Sequence, residues 1–156
     1  MDKFNLAVSD ASMAIVLNDK YVNSYVTRGS AFEKLSKIDK ALKDFNTCLT
    51  LDDKNFRALN NRAYIYSNLN NYRQSIDDYT KALKIKPNYI KSYLFRSRVY
   101  MKMGNEKNAL QDLIQISKLK PRANLQRQGR LMCNEAEIER LNLEQEIKLK
   151  EQQQQA

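Results

Sequence analysis

Residues 56–89 read FRALNNRAYIYSNLNNYRQSIDDYTKALKIKPNY, and the pattern of this stretch recurs 34 residues earlier and 34 residues later. Down the repeat stand Arg28, Arg62 and Arg96, then Phe32, Tyr66 and Tyr100, then Leu35, Leu69 and Met103. The series continues through Ala41, Ser75 and Ala109, Asp44, Asp78 and Asp112, and Phe45, Tyr79 and Leu113, and it closes with Leu51, Ile85 and Leu119. Pro87 and Pro121 share a slot that holds Asp53 in the first unit. A period of this length means that each unit is one supersecondary element, able to bury its apolar face only against its neighbours.

Within residues 56–89, Phe56, Leu59, Ala63, Tyr66 and Leu69 follow helical three- and four-residue spacing. Tyr72, Ile76, Tyr79 and Leu83 do the same in a second segment. Asn70–Asn71, and Gly104–Asn105 in the next unit, form the polar joint between the two helices. Pro87 and Pro121 are expected to stop the second helix. Small residues fall where helices must approach closely: Gly29, Ala63 and Ser97 on first helices, and Ala41, Ser75, Ala109, Cys48 and Ala82 on second helices. No segment reads as a strand.

An early aromatic or leucine (Tyr25, Leu59, Tyr93), the small-residue slots, the aromatic near the end of the first helix and the terminal proline together make the unit resemble the tetratricopeptide repeat. The departures are the arginines at 28, 62 and 96 in a slot usually held by leucine, Asp53 in place of proline, and Ile116 in place of a small residue. The resemblance implies an all-α, right-handed helical-hairpin solenoid with a C-terminal extra helix. Residues 1–21 read as the second helix of an incomplete repeat, because Phe4, Ala7, Val8, Asp10, Ala14 and Leu17 fall in its register. Complete repeats span 22–55, 56–89 and 90–121, and residues 122–156 read as a solvating or projecting helix with a Gln-rich tail. Leu125, Leu131 and Met132 are the candidates to cap the last repeat, with Ile138, Leu141, Ile147 and Leu149 on a projecting or fraying part. Residues 2–17 are apolar around much of their circumference, which suggests a fragment of a longer array or a helix covered by another chain, ahead of a tolerated exposed patch, since monomers seldom leave such surfaces bare.

The formal net charge of +9 is unevenly spread. Residues 1–21 carry two basic and three acidic side chains, whereas 56–89 carry six and two, and 90–121 carry seven and two. An acidic partner surface is the simplest complement, with nucleic acid ranked below it. There is no histidine, no Gly-rich phosphate loop and no cysteine pair with metal or disulfide spacing. No catalytic residue, metal site or cofactor is therefore expected, and Cys48 reads as a packing residue. The lack of a signal-like or membrane-spanning stretch makes a cytoplasmic setting the default expectation.

Two residue sets remain as candidate sites. Arg28, Arg62 and Arg96 on first helices, set against Asp10, Asp44, Asp78 and Asp112 on second helices, read as an interhelical ion-pair ladder. By resemblance to the family, the concave face of the first helices forms a peptide-binding groove. It matches Asn23, Val26, Thr27, Ser30 and Lys34, then Arg57, Asn60, Asn61, Tyr64 and Asn68, then Lys91, Leu94, Phe95, Arg98 and Lys102. Side-by-side asparagines suit an extended peptide, since a carboxamide both donates and accepts. The implied function is a non-catalytic protein-interaction scaffold that takes an acidic extended segment.

Co-chaperone domains of this family bind chaperone C-terminal tails through a carboxylate clamp. Of its five residues Asn61 and Lys91 match, while Val26, Ser30 and Phe95 do not. That alternative, and a structural tile in a large assembly with end-to-end contact through the N-terminal apolar helix, stand beside the scaffold reading.

Overall fold

The computed structural model describes residues 2–119 and 127–155, and among them all regular structure is helical. The helices are α1 (Asp2–Leu17), α2 (Val22–Lys34), α3 (Ile38–Leu51), α4 (Phe56–Asn68), α5 (Tyr72–Ile85), α6 (Ile90–Lys102), α7 (Glu106–Leu119) and α8 (Arg127–Gln155). They fall into two compact units, Met1–Pro87 and Asn88–Ala156.

In the first unit α1 packs on α2, the hairpin α2–α3 packs on α4, and α4 pairs with α5. Tyr25, Val26, Ala41, Phe45, Cys48, Ala58 and Ile65 form a buried cluster, with Ile15 and Phe32 packed against it. The small-residue slot at Gly29 has a steric cause: a Cβ there would come within 2.8 Å of the Phe45 ring.

Each joint between paired helices uses one residue in the left-handed region: Ser36 (φ 58°), Asn70 (φ 60°) and Gly104 (φ 70°). The next backbone N–H turns back to a carbonyl five residues earlier, Lys37 to Phe32 at 2.8 Å, Asn71 to Tyr66 at 2.8 Å and Asn105 to Tyr100 at 2.9 Å. This closure satisfies carbonyls that the helix end would otherwise leave orphaned.

α5 ends at Ile85, two residues before Pro87, but a proline is not required to stop a second helix. α3 ends at Leu51, in register with Ile85 and Leu119, although Asp53 follows it. There the Asp52 carboxylate accepts from the Lys54 backbone N–H (3.2 Å) and from the Asn55 carboxamide (3.1 Å). Asn55 in turn caps α4 by accepting from the Ala58 N–H at 3.2 Å. Pro121 lies outside the described residues.

In the second unit Ile90, Leu94, Ala109, Leu113 and Ile116 share a core with Cys133, Ala136 and Leu143 of α8. This corrects the expectation of a projecting helix: α8 docks on α7 and α6, and an ion pair from Lys150 to Glu106 fastens it near its far end. The docking face matches the expected one only in part: Met132 packs against this core as expected, and so does Ile147, expected on the projecting part. Cys133 and Ala136 are small enough to let α8 approach, whereas Leu131, Ile138, Leu141 and Leu149 are exposed. Leu125 lies outside the described residues.

Candidate peptide-binding faces

The arginine and aspartate series meet within each hairpin. Arg28 donates to both Asp44 oxygens at 2.8 and 2.7 Å, Arg62 to both Asp78 oxygens at 2.7 and 2.8 Å, and Arg96 to both Asp112 oxygens at 2.8 and 2.7 Å. Aromatic rings of the same first helix accommodate each guanidinium in what is otherwise a leucine slot. Tyr25 and Phe32 lie about Arg28, Tyr66 lies by Arg62, and Tyr93 and Tyr100 lie about Arg96, all within 6.0 Å. Arg28 and Arg62 are held above the usual arginine value mainly by the hydrogen bonds that they donate to Asp44 and Asp78, against a smaller effect of burial. At Arg96 burial is the largest influence and acts to lower the value, but Asp112 outweighs it. Burial raises the Asp112 carboxyl itself in spite of the arginine. The bidentate geometry is that of a charged pair. Asp10 departs from the series: it is exposed and pairs with none of these three arginines.

Sequence reasoning missed the remaining donor of the guanidinium. Arg28 also donates to the Ser12 hydroxyl on α1 at 3.3 Å, and Arg62 to the Asn46 carboxamide oxygen on α3 at 2.8 Å. Ser12 and Asn46 are 34 residues apart, so the periodicity held this signal. One planar cation therefore joins the two helices of a hairpin to the helix before them.

On the first unit, α4 presents Arg57 and Asn68 as exposed side chains, with Asn61 and Tyr64 half-buried. The Asn61 carboxamide donates to Ser30 Oγ on α2 at 3.0 Å, and Ser30 donates onward to the Val26 carbonyl at 2.8 Å. Asn60 is a correction, because it is buried with 2% exposure rather than open to a ligand. Val26 and Leu94, one repeat to either side, are buried as well. That register position turns into the helix packing.

On the second unit, α6 carries Phe95 between two cations, with Lys91 Nζ 5.6 Å and the Arg98 guanidinium 5.5 Å from the ring centroid. Lys102 is exposed one turn on. Arg98 is not an open cation: it donates to Glu139 at 2.6 and 2.9 Å and lies 2.8 Å from Glu135, both on α8. Burial acts on Arg98 most strongly and would lower its value, yet these carboxylates hold it above the usual value. Beside the pair opens a cleft of about 270 Å³, floored by Met101, Leu113 and Leu143 and rimmed by Arg98, Glu139, Asn142 and Glu146. The glutamates of α8 were legible only as a charged helix, since nothing local in the sequence says which cation they face.

Residues 56–89 match one tetratricopeptide repeat pattern, and residues 22–55 and 90–122 match a second of the same description. The chain belongs to the tetratricopeptide repeat family, whose members are generally non-catalytic interaction modules. No curated protein matches the sequence. Among solved structures it is similar to MamA (TM-score 0.71, 17% identity, covering 96% of this chain and 91% of that one). It is also similar to the first repeat domain of Spaghetti (RPAP3) bound to an HSP90 peptide (0.68, 21%, 81% and 92%) and to PcrH in complex with the chaperone-binding region of PopD (0.75, 15%, 83% and 95%). The fold is that of an all-α tetratricopeptide solenoid. Among the described residues no helix is long and apolar enough to cross a membrane.

Proposed function

We propose that the chain is a protein-interaction scaffold whose first helices take an extended acidic segment of a partner. The observation that carries this reading is Arg98 in the grip of Glu135 and Glu139. The basic face of α6 already receives two carboxylates from α8, with charge-assisted hydrogen-bond lengths. Lys91 and Lys102 beside it supply further positive charge, and Phe95 offers an apolar surface. On α4, Arg57, Asn61, Tyr64 and Asn68 offer a cation and amide groups suited to peptide backbone. Two structural neighbours were solved with peptide or protein segments bound, which supports interaction as the general role.

Fluorescence anisotropy with a labelled acidic peptide tests the reading, using a second peptide in which the acids are replaced by amides. The acidic peptide should bind more tightly, lose affinity as salt rises, and weaken several-fold with Lys91→Glu or Lys102→Glu. Arg98 is left intact because it anchors α8. Equal affinity for the two peptides, or indifference to both charge reversals, would overturn the acidic-segment reading.

A further inference from the structure

We propose that two copies of this chain associate through the outer face of α1, packed antiparallel about a two-fold axis between Ser9 and Asp10. One side of α1 is spent inside the protein: Ala11 is buried and Ile15 packs on the core of the first unit. On the opposite side Leu6 is 64%, Met13 62% and Val16 81% exposed. At about 100° per residue these three fall on one stripe with Ser9 between them, turned away from α2.

The repeat supplies an internal control for what such a face should be. One period on, the positions of Leu6, Met13 and Val16 hold Lys40, Thr47 and Thr50, and a further period on they hold Gln74, Lys81 and Lys84. Lys40 and Thr50 are exposed and Thr47 is half-buried, even though α3 lies between α2 and α4. Stacking another hairpin onto α1 would therefore leave Leu6 and Val16 bare and cover Met13 only in part, because most of the stripe points away from the stacking direction. It is an extra apolar surface, and surfaces of this kind mark a contact with another chain.

Two properties select a second copy as that chain. An isologous contact needs a patch complementary to itself. Leu6 and Met13 stand symmetrically about the midpoint of residues 9 and 10, so antiparallel pairing sets each leucine against a partner methionine. The same midpoint sets the Ser9 hydroxyl opposite a partner Asp10, a donor facing an acceptor, and Asp10 is exposed and outside the arginine ladder. Charge points the same way. Residues 1–21 hold two basic and three acidic side chains, whereas the whole chain is +9. This is where two strongly basic molecules meet with least repulsion, while an acidic partner would be drawn to the later repeats. A single helix buries little area, so the dimer is a weak one.

Sedimentation of the full chain over a concentration series tests the proposal. The mass should rise with concentration from 18.3 kDa towards twice that value. The triple variant Leu6→Lys/Met13→Thr/Val16→Thr installs the residues that α3 carries at the same positions, so it should keep the melting temperature and remain monomeric. Ser9→Cys should cross-link to itself under mild oxidation, and Lys40→Cys, on the matching face of α3, should not. The native cysteines are buried and do not compete. A monomer at every concentration overturns the proposal in favour of a different apolar partner. A dimer untouched by the triple variant refutes the surface, and a dimer in which Ser9→Cys fails to cross-link refutes the two-fold arrangement.

Discussion

Arg62 grips Asp78 with two hydrogen bonds, at 2.7 and 2.8 Å, across the hairpin that α4 and α5 form, and the aspartate is almost wholly withdrawn from water. The same guanidinium reaches Asn46 on α3. A slot that a leucine would fill by packing alone is thus filled by a cation whose partners lie on two other helices. Such a residue fixes register, because sliding either helix breaks a directional bond.

Removing one side of this pair should cost far more than removing both. Arg62→Leu strands a buried carboxylate and should destabilise the protein by about 3 kcal/mol, and Arg62→Asp by at least as much. The double variant Arg62→Leu/Asp78→Ala should recover most of the loss. Urea unfolding of the single and double variants measures the coupling. Losses that simply add, or an unchanged melting temperature for Arg62→Asp, would deny the pair its structural role.

The left-handed joint predicts a stabilising substitution. Ser36 holds φ 58° where the third repeat has Gly104 at φ 70°. A non-glycine residue pays roughly 1 kcal/mol in that region, so Ser36→Gly should raise stability by about that amount, less any lost local hydrogen bonding. Gly104→Ala should lower it by a similar amount. Thermal melts of the two variants should shift in opposite directions.

Tyr79 is fully buried, and its hydroxyl has no hydrogen-bond partner among the described residues. Burial pushes its phenol far above the usual tyrosine value. The preceding repeat places Phe45 in the same slot. Tyr79→Phe should therefore hold or raise stability by about 1 kcal/mol, since an unmade buried hydrogen bond is removed with little change of shape. A clear fall in the urea midpoint would mean that the hydroxyl is satisfied in solution.

Burial pushes the Cys48 thiol up to about 12 from 9.0. The folded value lies above the unfolded one, so this thiol's contribution to stability is complete below about pH 9 and fades as pH rises towards 12. At neutral pH Cys48 should be inert to thiol reagents, and buried Cys133 should be shielded with it. Labelling with a chromogenic disulfide should proceed at the rate of unfolding rather than in a fast initial phase. Fast reaction of one thiol in native buffer would contradict the burial.

The repeat slots carried most of the fold. Arg28, Arg62 and Arg96 announced the ion pairs, and Ala41, Ser75, Gly29 and Ala63 announced the close helix contacts, because identical local demands recur at identical positions. The candidate site was legible less evenly. Asn60 looked like its neighbour Asn61, but one register position turns inward and the next outward, and a polar name does not distinguish them. Arg98 looked like a cation waiting for a ligand, yet Glu139, 41 residues further on, had already claimed it.

By itself the sequence determined the helical hairpin, its period, its family and the uneven distribution of charge, since these depend on spacing between residues close in the chain. Only the tertiary structure decided that α8 docks through Cys133, Ala136 and Leu143 rather than through Leu131, Ile138, Leu141 and Leu149. Only there do the third arms of Arg28 and Arg62 find Ser12 and Asn46, and only there does α1 leave Leu6, Met13 and Val16 bare. These outcomes are competitions for burial and hydrogen bonds between distant segments, and packing resolves them where periodicity is silent.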